Sequence, residues 1–457
     1  MNVGENWLID TLGMVKRCLN GYYFHSHNVQ GCRTDGYMSI VVMKFGGTSV
    51  CDVQKIRQAA RRVVRTARRG HQVVVVASAM GDTTDRLLDM AKQITPRPPV
   101  REMDQLLSTG EQVTISLLAM AIDRSGIPAV SFTASQIGLI TDEGHTKARI
   151  KRIDARRIKQ ELDRGKIVVV AGFQGVTESG AVTTLGRGGS NLTLVALAAA
   201  LKAEVCENYT DVDGIFTADP RIVPNARKID KITYDEMMEL SSQGASVMHN
   251  RAVSFAKKFG VPIHVRSSLH NRKGTMIVAE TEEMEKIVVN GAALKKNLAI
   301  ITLKSLPDRP GVAAEIFHEL AAANIVIDHI IQTRTAPGSA TISFTVELSD
   351  LPKARTLCRR LCRRLEGATV EFEKNLAKVS VVGLGMRVHT GVAEKMFAAL
   401  AQAGINIRNI TTSEIKISCI IDRSQGAKAL QLVHDAFKLG SRKSPSSTTG
   451  KPGKKRS

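Results

Sequence analysis

Thr183 to Arg221 reads TTLGRGGSNLTLVALAAALKAEVCENYTDVDGIFTADPR. It opens on a glycine-flanked arginine, Gly186-Arg187-Gly188-Gly189-Ser190-Asn191, and passes directly into an apolar run, Leu192 to Leu201, that predicts a helix. Glycines there allow a tight turn and let a ligand approach bare backbone. A helix start presents free N–H groups and the positive end of a dipole, which suits phosphate or carboxylate. A short strand follows, then Thr210, Asp211, Asp213 and Asp219 in a segment whose Asp-Gly and Asp-Pro pairs mark it as loop. A glycine–arginine cradle followed by an acidic loop suits a nucleotide and its Mg²⁺.

Upstream, the same grammar recurs. Ile40 to Met43 is an apolar strand, and it runs into Lys44-Phe45-Gly46-Gly47-Thr48-Ser49. A lysine leaving a strand into two glycines reaches a phosphoryl group while backbone N–H groups approach the same oxygens. The order of a Walker A motif is absent. A helix (Val53 to Arg69) leads to the strand Val73 to Ala77 and the small, polar run Ser78 to Thr84. Ser108-Thr109-Gly110-Glu111 precedes an apolar helix expected over Val113 to Asp123, which gives Glu111 two readings: a cap on that helix, or the receiver of a substrate ammonium group. The strand Ile167 to Val170 ends in Ala171-Gly172-Phe173-Gln174-Gly175. Strand, glycine, helix in repetition predicts an α/β fold with an open, mostly parallel sheet and its ligand at the carboxyl ends of the strands. Helices over Tyr234 to Leu240 and Ser246 to Phe259 and a strand over Pro262 to Val265 complete this half, which closes near Ala279. The isolated histidines 145, 249, 264 and 270 read as packing or surface residues.

A second period starts at Leu298. Strand 298–304, the loop Pro307-Asp308-Arg309-Pro310-Gly311, helix 312–322, strands 325–332 and 340–346, helix 351–365 and strand 369–375 make a βαββαβ unit. The pattern restarts at Lys378 with a strand, Gly383-Leu384-Gly385, helix 391–403, strands 405–411 and 415–421 and helix 427–438. IFHELAAANI and MFAALAQAGI mark the repeat, at a period of about 80 residues. The second copy lacks a fourth strand, and the orphan strand 287–291 supplies it. Small sheets leave pairing edges, so side-by-side association into a homodimer or higher homo-oligomer is expected. Both glycine-bearing loops offer helix starts for an amino-acid carboxylate.

At 457 residues, two to three domains are expected, and 43% hydrophobic with 23% charged residues is an ordinary soluble composition. No apolar run approaches the roughly 20 residues that span a membrane. Seven cysteines, odd in number and scattered, predict reduced thiols and a cytoplasmic location. The net charge of +21 comes partly from a basic Ser/Pro/Gly/Lys-rich tail at 441–457 and partly from arginines spaced three and four apart on outer helix faces. With aromatics at 4% and no nucleic-acid-reading motif, a solvated surface that concentrates anionic substrates is favoured over nucleic-acid binding. Residues 1–37, with Trp7, His25, His27 and Cys32, fit neither half and read as a loose extension or as sequence upstream of a start at Met38.

Taken together, these residues resemble the aspartate kinases: an amino-acid-kinase domain followed by two ACT domains of ferredoxin-like βαββαβ build. The resemblance rests on VMKFGGTSV (42–50), ASAMGDTTDRLLDMAK (77–92), STGEQ (108–112), GFQG (172–175), TTLGRGGS (183–190), YTDVDGIFTADPR (209–221) and VRSS (265–268), with VVGLGMR (381–387) and TSEIKIS (412–418) in the regulatory half. It implies a kinase domain over 38–285, a linker strand and first ACT domain over 286–376, and a second ACT domain over 377–440. The implied reaction uses ATP and Mg²⁺ to phosphorylate the β-carboxylate of L-aspartate, the first step toward lysine, threonine and methionine, with feedback by lysine or threonine at the ACT domains.

The resemblance also assigns residues. Lys44 matches the phosphoryl-contacting lysine, with Gly46, Gly47, Gly188 and Gly189 at the phosphates. Thr48, Ser49, Glu111 and Arg187 match the aspartate site, Glu111 taking the ammonium and Arg187 the carboxylate. Thr210, Asp211 and Arg221 match nucleotide contacts, and Phe216 lies beside the base. No protein side chain is assigned as a metal ligand. Two departures stand out. Asn191 occupies the place of a catalytic-site aspartate, and Ser246 that of a frequent lysine. Asn191 as an orienting hydrogen-bonder is one reading; a catalytically weak or inactive amino-acid-binding relative is the alternative.

Overall fold

Runs of valine decide the centre of the molecule. A computed structural model describes residues 38–243, 247–285, 287–365 and 367–440; residues 1–37, the tail 441–457 and Ser246 lie outside the described residues. The first half comprises β1 (Ile40–Phe45), α1 (Val53–Ala67), β2 (Gln72–Ala77), α2 (Thr83–Ile94), α3 (Val100–Asp123), β3 (Ala129–Phe132), β4 (Leu139–Thr141), β5 (Ile150–Ile153) and α4 (Arg156–Asp163). It continues through β6 (Ile167–Ala171), β7 (Gln174–Val176), β8 (Val182–Thr184), α5 (Gly189–Leu201), β9 (Val205–Thr210), β10 (Lys231–Thr233), α6 (Tyr234–Ser242), α7 (Asn250–Phe259), β11 (Ile263–Ser267), β12 (Thr275–Val278) and α8 (Glu282–Glu285).

Eight strands form one sheet in the order β10-β12-β11-β9-β1-β2-β6-β3, every neighbouring pair parallel except β11 with β12. β2 and β6 are continuous apolar runs because both faces are covered, the mark of a parallel sheet interior. On one face, Met43, Phe45, Val73, Val75 and Val169 pack under α1 and α3; on the other, Val42, Val74, Val76 and Val168 pack under α5. α5 is apolar nearly all round, as a helix buried on every side must be. A small sheet, β5-β4-β7-β8, stands beside the carboxyl ends of the main strands.

The second half comprises β13 (Gly291–Pro307), α9 (Val312–Ala322), β14 (Ile327–Ala336), β15 (Ser339–Glu347), α10 (Leu351–Arg364), β16 (Thr369–Val382), α11 (Val392–Gln402), β17 (Asn409–Ser413), β18 (Lys416–Asp422) and α12 (Gly426–Ala436). Sequence predicts two separate sheets; the strands instead form one, ordered β14-β15-β13-β16-β18-β17. β13 and β16 are long enough to serve both repeats. The strand that completes the second repeat is Gly291 to Lys295, paired with Lys378 to Val382, a few residues later than the predicted orphan 287–291 and continuous with the first repeat's own strand. Likewise, a boundary drawn at 376/377 falls inside β16.

The handover occurs at two asparagines in left-handed backbone, Asn297 (φ 63°) and Asn375 (φ 60°), a conformation asparagine tolerates better than most residues. Each sits in the same four residues, Lys-Asn-Leu-Ala, at 296–299 and 374–377. Leu298 pairs with Leu376 at the centre of this near-symmetric joint.

The predicted ligand loop of the second repeat needs correcting. Gly383 to Gly385 does not start the long helix, which begins at Val392 behind Gly391. A Cβ on Gly383 would lie 2.4 Å from the Val288 carbonyl oxygen, so the chain itself fills that loop.

Candidate active site

The carboxyl ends of β1, β2, β6 and β9 converge on one edge of the main sheet, where β1 delivers Lys44. Its side chain is 8% exposed, and burial lowers the ammonium pKa to about 8, opposed by the nearby charge of Asp211 at the end of β9. Gly46 and Gly47 follow directly. A Cβ on Gly46 would approach Lys44 Nζ to 3.2 Å, and one on Gly47 would meet the Ala79 carbonyl at 3.0 Å. Next in line, Ser49 is buried and its Oγ has no hydrogen-bond partner, whereas Thr48 is exposed.

Glu111 arrives by a different route from the one predicted. It lies inside α3, which begins at Val100, and caps no helix start. Ser108 and Thr109 look like loop residues in sequence, but their hydroxyls, like that of Thr114, donate back to carbonyls three or four residues earlier within the helix. Gly110 is what the helix needs here: a Cβ would come 2.9 Å from Ala79 Cβ, so only glycine lets α3 close on the end of β2. That approach brings Glu111 Oε1 to the Ala79 N–H at 3.1 Å. Oε2 is buried without a partner, and burial pushes the carboxyl pKa up to about 8. A buried carboxyl with one open oxygen is a receiver for a ligand cation.

Two turns earlier on the same helix face, Asp104 is fully buried. It accepts from Thr146 N–H at 2.9 Å and Thr184 Oγ1 at 2.6 Å and lies 2.8 Å from His145 Nδ1. It therefore pins the loop beneath Gly186, whose Cβ position is 3.0 Å from the Thr146 carbonyl oxygen. Sequence reasoning missed Asp104; its spacing from Glu111 along one helix face was the available signal.

The Gly186 to Asn191 turn behaves as its glycines suggest. Gly188 has φ +73°, and a Cβ would sit 2.4 Å from His249 Cβ. Arg187 projects exposed from this turn, and Asn191 lies in the first turn of α5, buried, its Oδ1 without a donor. Thr210 Oγ1 donates to Asp211 Oδ1 at 3.1 Å.

Two predicted residues stand apart from this edge. Phe216 is half-buried in a bridge with Lys228. Arg221 is held by Asp219 through two side-chain hydrogen bonds, 3.0 and 2.8 Å, on a loop whose Ala218 and Val223 pack into the core of the second repeat. The sequence loop that looked wholly nucleotide-facing thus divides, its first residues at the sheet edge and its last at the domain seam.

The combination can do specific chemistry. A phosphate chain needs cation and N–H donors; Lys44 and the glycine-backed turns supply them. A zwitterionic acceptor needs an anion for its ammonium and a cation for its carboxylate; Glu111 and Arg187 have those signs.

Residues 39–267 match the model of the amino acid kinase family, and residues 300–363 and 379–437 each match an ACT domain. An aspartokinase of Geobacillus stearothermophilus is 51% identical over 402 residues, spanning 88% of this chain and 98% of that protein. E. coli aspartokinase III in complex with aspartate and ADP (R-state) superposes with a TM-score of 0.73 at 27% identity, over 87% of this chain and 99% of that one. The same enzyme in complex with lysine and aspartate (T-state) gives 0.70 at 28% identity, over the same 87% and 99%. With identity and coverage of that order across both halves, the chain belongs to the aspartate kinases, an amino-acid-kinase domain followed by two ACT domains.

Proposed function

We propose that this chain transfers the γ-phosphoryl group of ATP to the β-carboxylate of L-aspartate. The observation that carries the reading is a buried lysine and a buried, half-satisfied glutamate at one sheet edge, within a chain that matches aspartate kinases along both halves. A β-carboxylate oxygen forms the new bond to the γ-phosphorus. The bond from that phosphorus to the β,γ-bridging oxygen breaks, and ADP leaves with the electron pair. The nucleophile is already ionised near neutral pH, so no general base is required. Catalysis then rests on alignment and on stabilising charge that spreads over the phosphoryl oxygens.

Lys44 takes the transferring phosphoryl group, with Gly46, Gly47, Gly188 and Gly189 giving backbone access to the phosphates. Glu111 takes the aspartate ammonium and Arg187 its α-carboxylate, with Thr48 and Ser49 nearby. Thr210, Asp211 and Arg221 serve the nucleotide, with Phe216 beside its base. The residues fit a phosphate chain, since the cradle is closed to side chains and rich in unmet donors and acceptors. Mg²⁺ supplies charge neutralisation on the nucleotide phosphates.

The enzyme works in the cytoplasm, as its scattered free thiols suit; among the described residues no helix is long and apolar enough to cross a membrane. Lysine, threonine or both act at the ACT half, and the open edge of β14, beside exposed Val326 and Ile330, suits a second copy of the chain. One observation favours the second reading, a weakened relative: Asn191 places an amide where the family carries a carboxylate. The test is Mg²⁺-dependent ADP release from purified protein with L-aspartate, L-glutamate or no acceptor. Release only with aspartate is expected. Release independent of acceptor, or none with any of the three, overturns the reading.

A further inference from the structure

Lys44 raises a question that its own sequence motif does not answer: what holds a buried ammonium in place. Among the described residues no hydrogen bond or ion pair reaches its Nζ, and the carboxylate that acts on it, Asp211, is exposed. β1 and β9 are adjacent and parallel, with Lys44 and Asn208 directly opposite each other in register. Two residues back along each strand, Val42 and Cys206 belong to the core beneath α5, so Lys44 and Asn208 point to that same face. The next residues along each strand, Phe45 and Tyr209, point the other way and stack, ring centroids 4.9 Å apart. On its opposite side Lys44 is flanked by Val76, which offers no polar atom.

Asn208 is 1% exposed, and its orientation is fixed by chemistry. Its amide lies 3.0 Å from Met248 Sδ, and a thioether can only accept, so the NH₂ group faces the sulfur. The amide oxygen is therefore turned away from Met248, buried and without a donor. Asn191 Oδ1, in the first turn of the helix packed across β1, is in the same condition. Two buried amide oxygens that lack donors thus lie on the face that carries the Lys44 side chain, whose ammonium makes no hydrogen bond among the described residues. Unmet buried polar atoms of this kind are rare and mark function or a missing partner.

We propose that Asn208 is a positioning residue for the Lys44 ammonium, sharing that task with Asn191. Neutral oxygens orient the ammonium without cancelling its charge, and that charge stays available to the phosphoryl group. The inference rests on the role given to Lys44 above, so Lys44→Ala is measured alongside.

The experiment compares Asn208→Leu and Asn208→Asp with wild type in steady-state kinetics across pH, after circular dichroism has shown each to be folded. Asn208→Leu is expected to lower kcat roughly tenfold while moving both KM values little, because alignment rather than binding is lost. The alkaline limb of its pH profile moves to lower pH. Asn208→Asp restores an acceptor and moves that limb to higher pH. If Lys44→Ala abolishes turnover but folded Asn208→Leu keeps wild-type kcat and pH profile, Asn208 is mere packing and the inference is wrong. If Asn208→Leu does not fold, an unmoved alkaline limb in Asn208→Asp overturns it equally. If Lys44→Ala itself retains turnover, the assigned role of Lys44 fails first.

Discussion

In the first repeat the loop Pro307 to Gly311 stands open on a cavity of about 340 Å³ lined by Asp308, Arg309 and Gln332; in the second, Gly383 to Gly385 is closed over by residues 288–290. The same contrast holds toward the kinase half. Leu384 N–H donates to Glu236 Oε1 at 3.2 Å, Lys416 Nζ to Glu239 Oε2 at 2.8 Å, and Ser380 Oγ to Gln243 Oε1 at 3.3 Å, all on α6 or its cap. His434 adds a 3.0 Å contact with Thr217 Oγ1. Among the described residues no hydrogen bond or ion pair joins 298–376 to the kinase half. Duplication has therefore produced one unit that holds and one that is free to bind. α6 links the seam to the catalytic edge, because the chain beyond it returns through Met248 and His249 to Asn208 and Gly188.

The largest expected effect breaks the holding unit. Gly383→Val forces atoms into a space that ends 2.4 Å away in backbone, and should cost about 3 kcal/mol or more of stability in chemical denaturation. Gly311→Val in the first repeat meets nothing within 4 Å. Its cost is that of left-handed backbone alone, about 1–2 kcal/mol. Equal losses would mean that the seam is not tightly packed.

Next in size is the seam itself. Replacing Lys416 by Met and Glu239 by Gln removes a partly buried ion pair worth about 1 kcal/mol. Uninhibited kcat should stay near wild type while inhibition by amino acids weakens, since coupling between sites is a separate free energy. Inhibition curves at fixed aspartate check this.

A smaller effect separates the kinase edge from both repeats. The Glu111 carboxyl pKa is raised in the fold to about 8, so its contribution to stability is present below the unfolded value of about 4.5 and is lost as pH rises through about 8. Thermal melts without ligand should fall over that window, and Glu111→Gln should flatten the fall while abolishing aspartate saturation. In wild type, kcat/KM for aspartate should climb as Glu111 ionises toward pH 8 and decline above it as Lys44 loses its proton. Neither repeat supplies a group to that profile, so Gln332→Ala should leave it unchanged. Smallest of all, Arg360→Ala on α10 removes an exposed pair with Glu319 and should leave Tm within error.

Much of the kinase edge is legible in sequence because its signals are local. Lys44 with two glycines, and the Gly186 to Asn191 turn, lie where strand periodicity ends and helix periodicity starts. Glu111 is misplaced in sequence because Ser108, Thr109 and Gly110 carry the chemistry of a helix start, and the reason for that glycine is a contact with Ala79 in another element. The placing of Arg221 is hard to read for the opposite reason. Its loop reads as one acidic segment, yet tertiary packing of Ala218 and Val223 turns its far end to the second repeat. The shared strands β13 and β16 are hidden because an asparagine between strand-forming runs reads as a turn, whereas here it is a bend within a continuous ladder. Asn208 is invisible until the register places it beside Lys44.

The measurement that tests the division of labour most directly is aspartate-dependent ADP release at rising lysine, threonine and both together, in wild type and Gln332→Ala. The open cavity predicts that wild type is suppressed by at least one of these additions and that Gln332→Ala is suppressed far less, with its uninhibited kcat and aspartate KM unchanged. Suppression of equal strength in both proteins would place the effector elsewhere and contradict the assignment of binding to the first repeat and holding to the second.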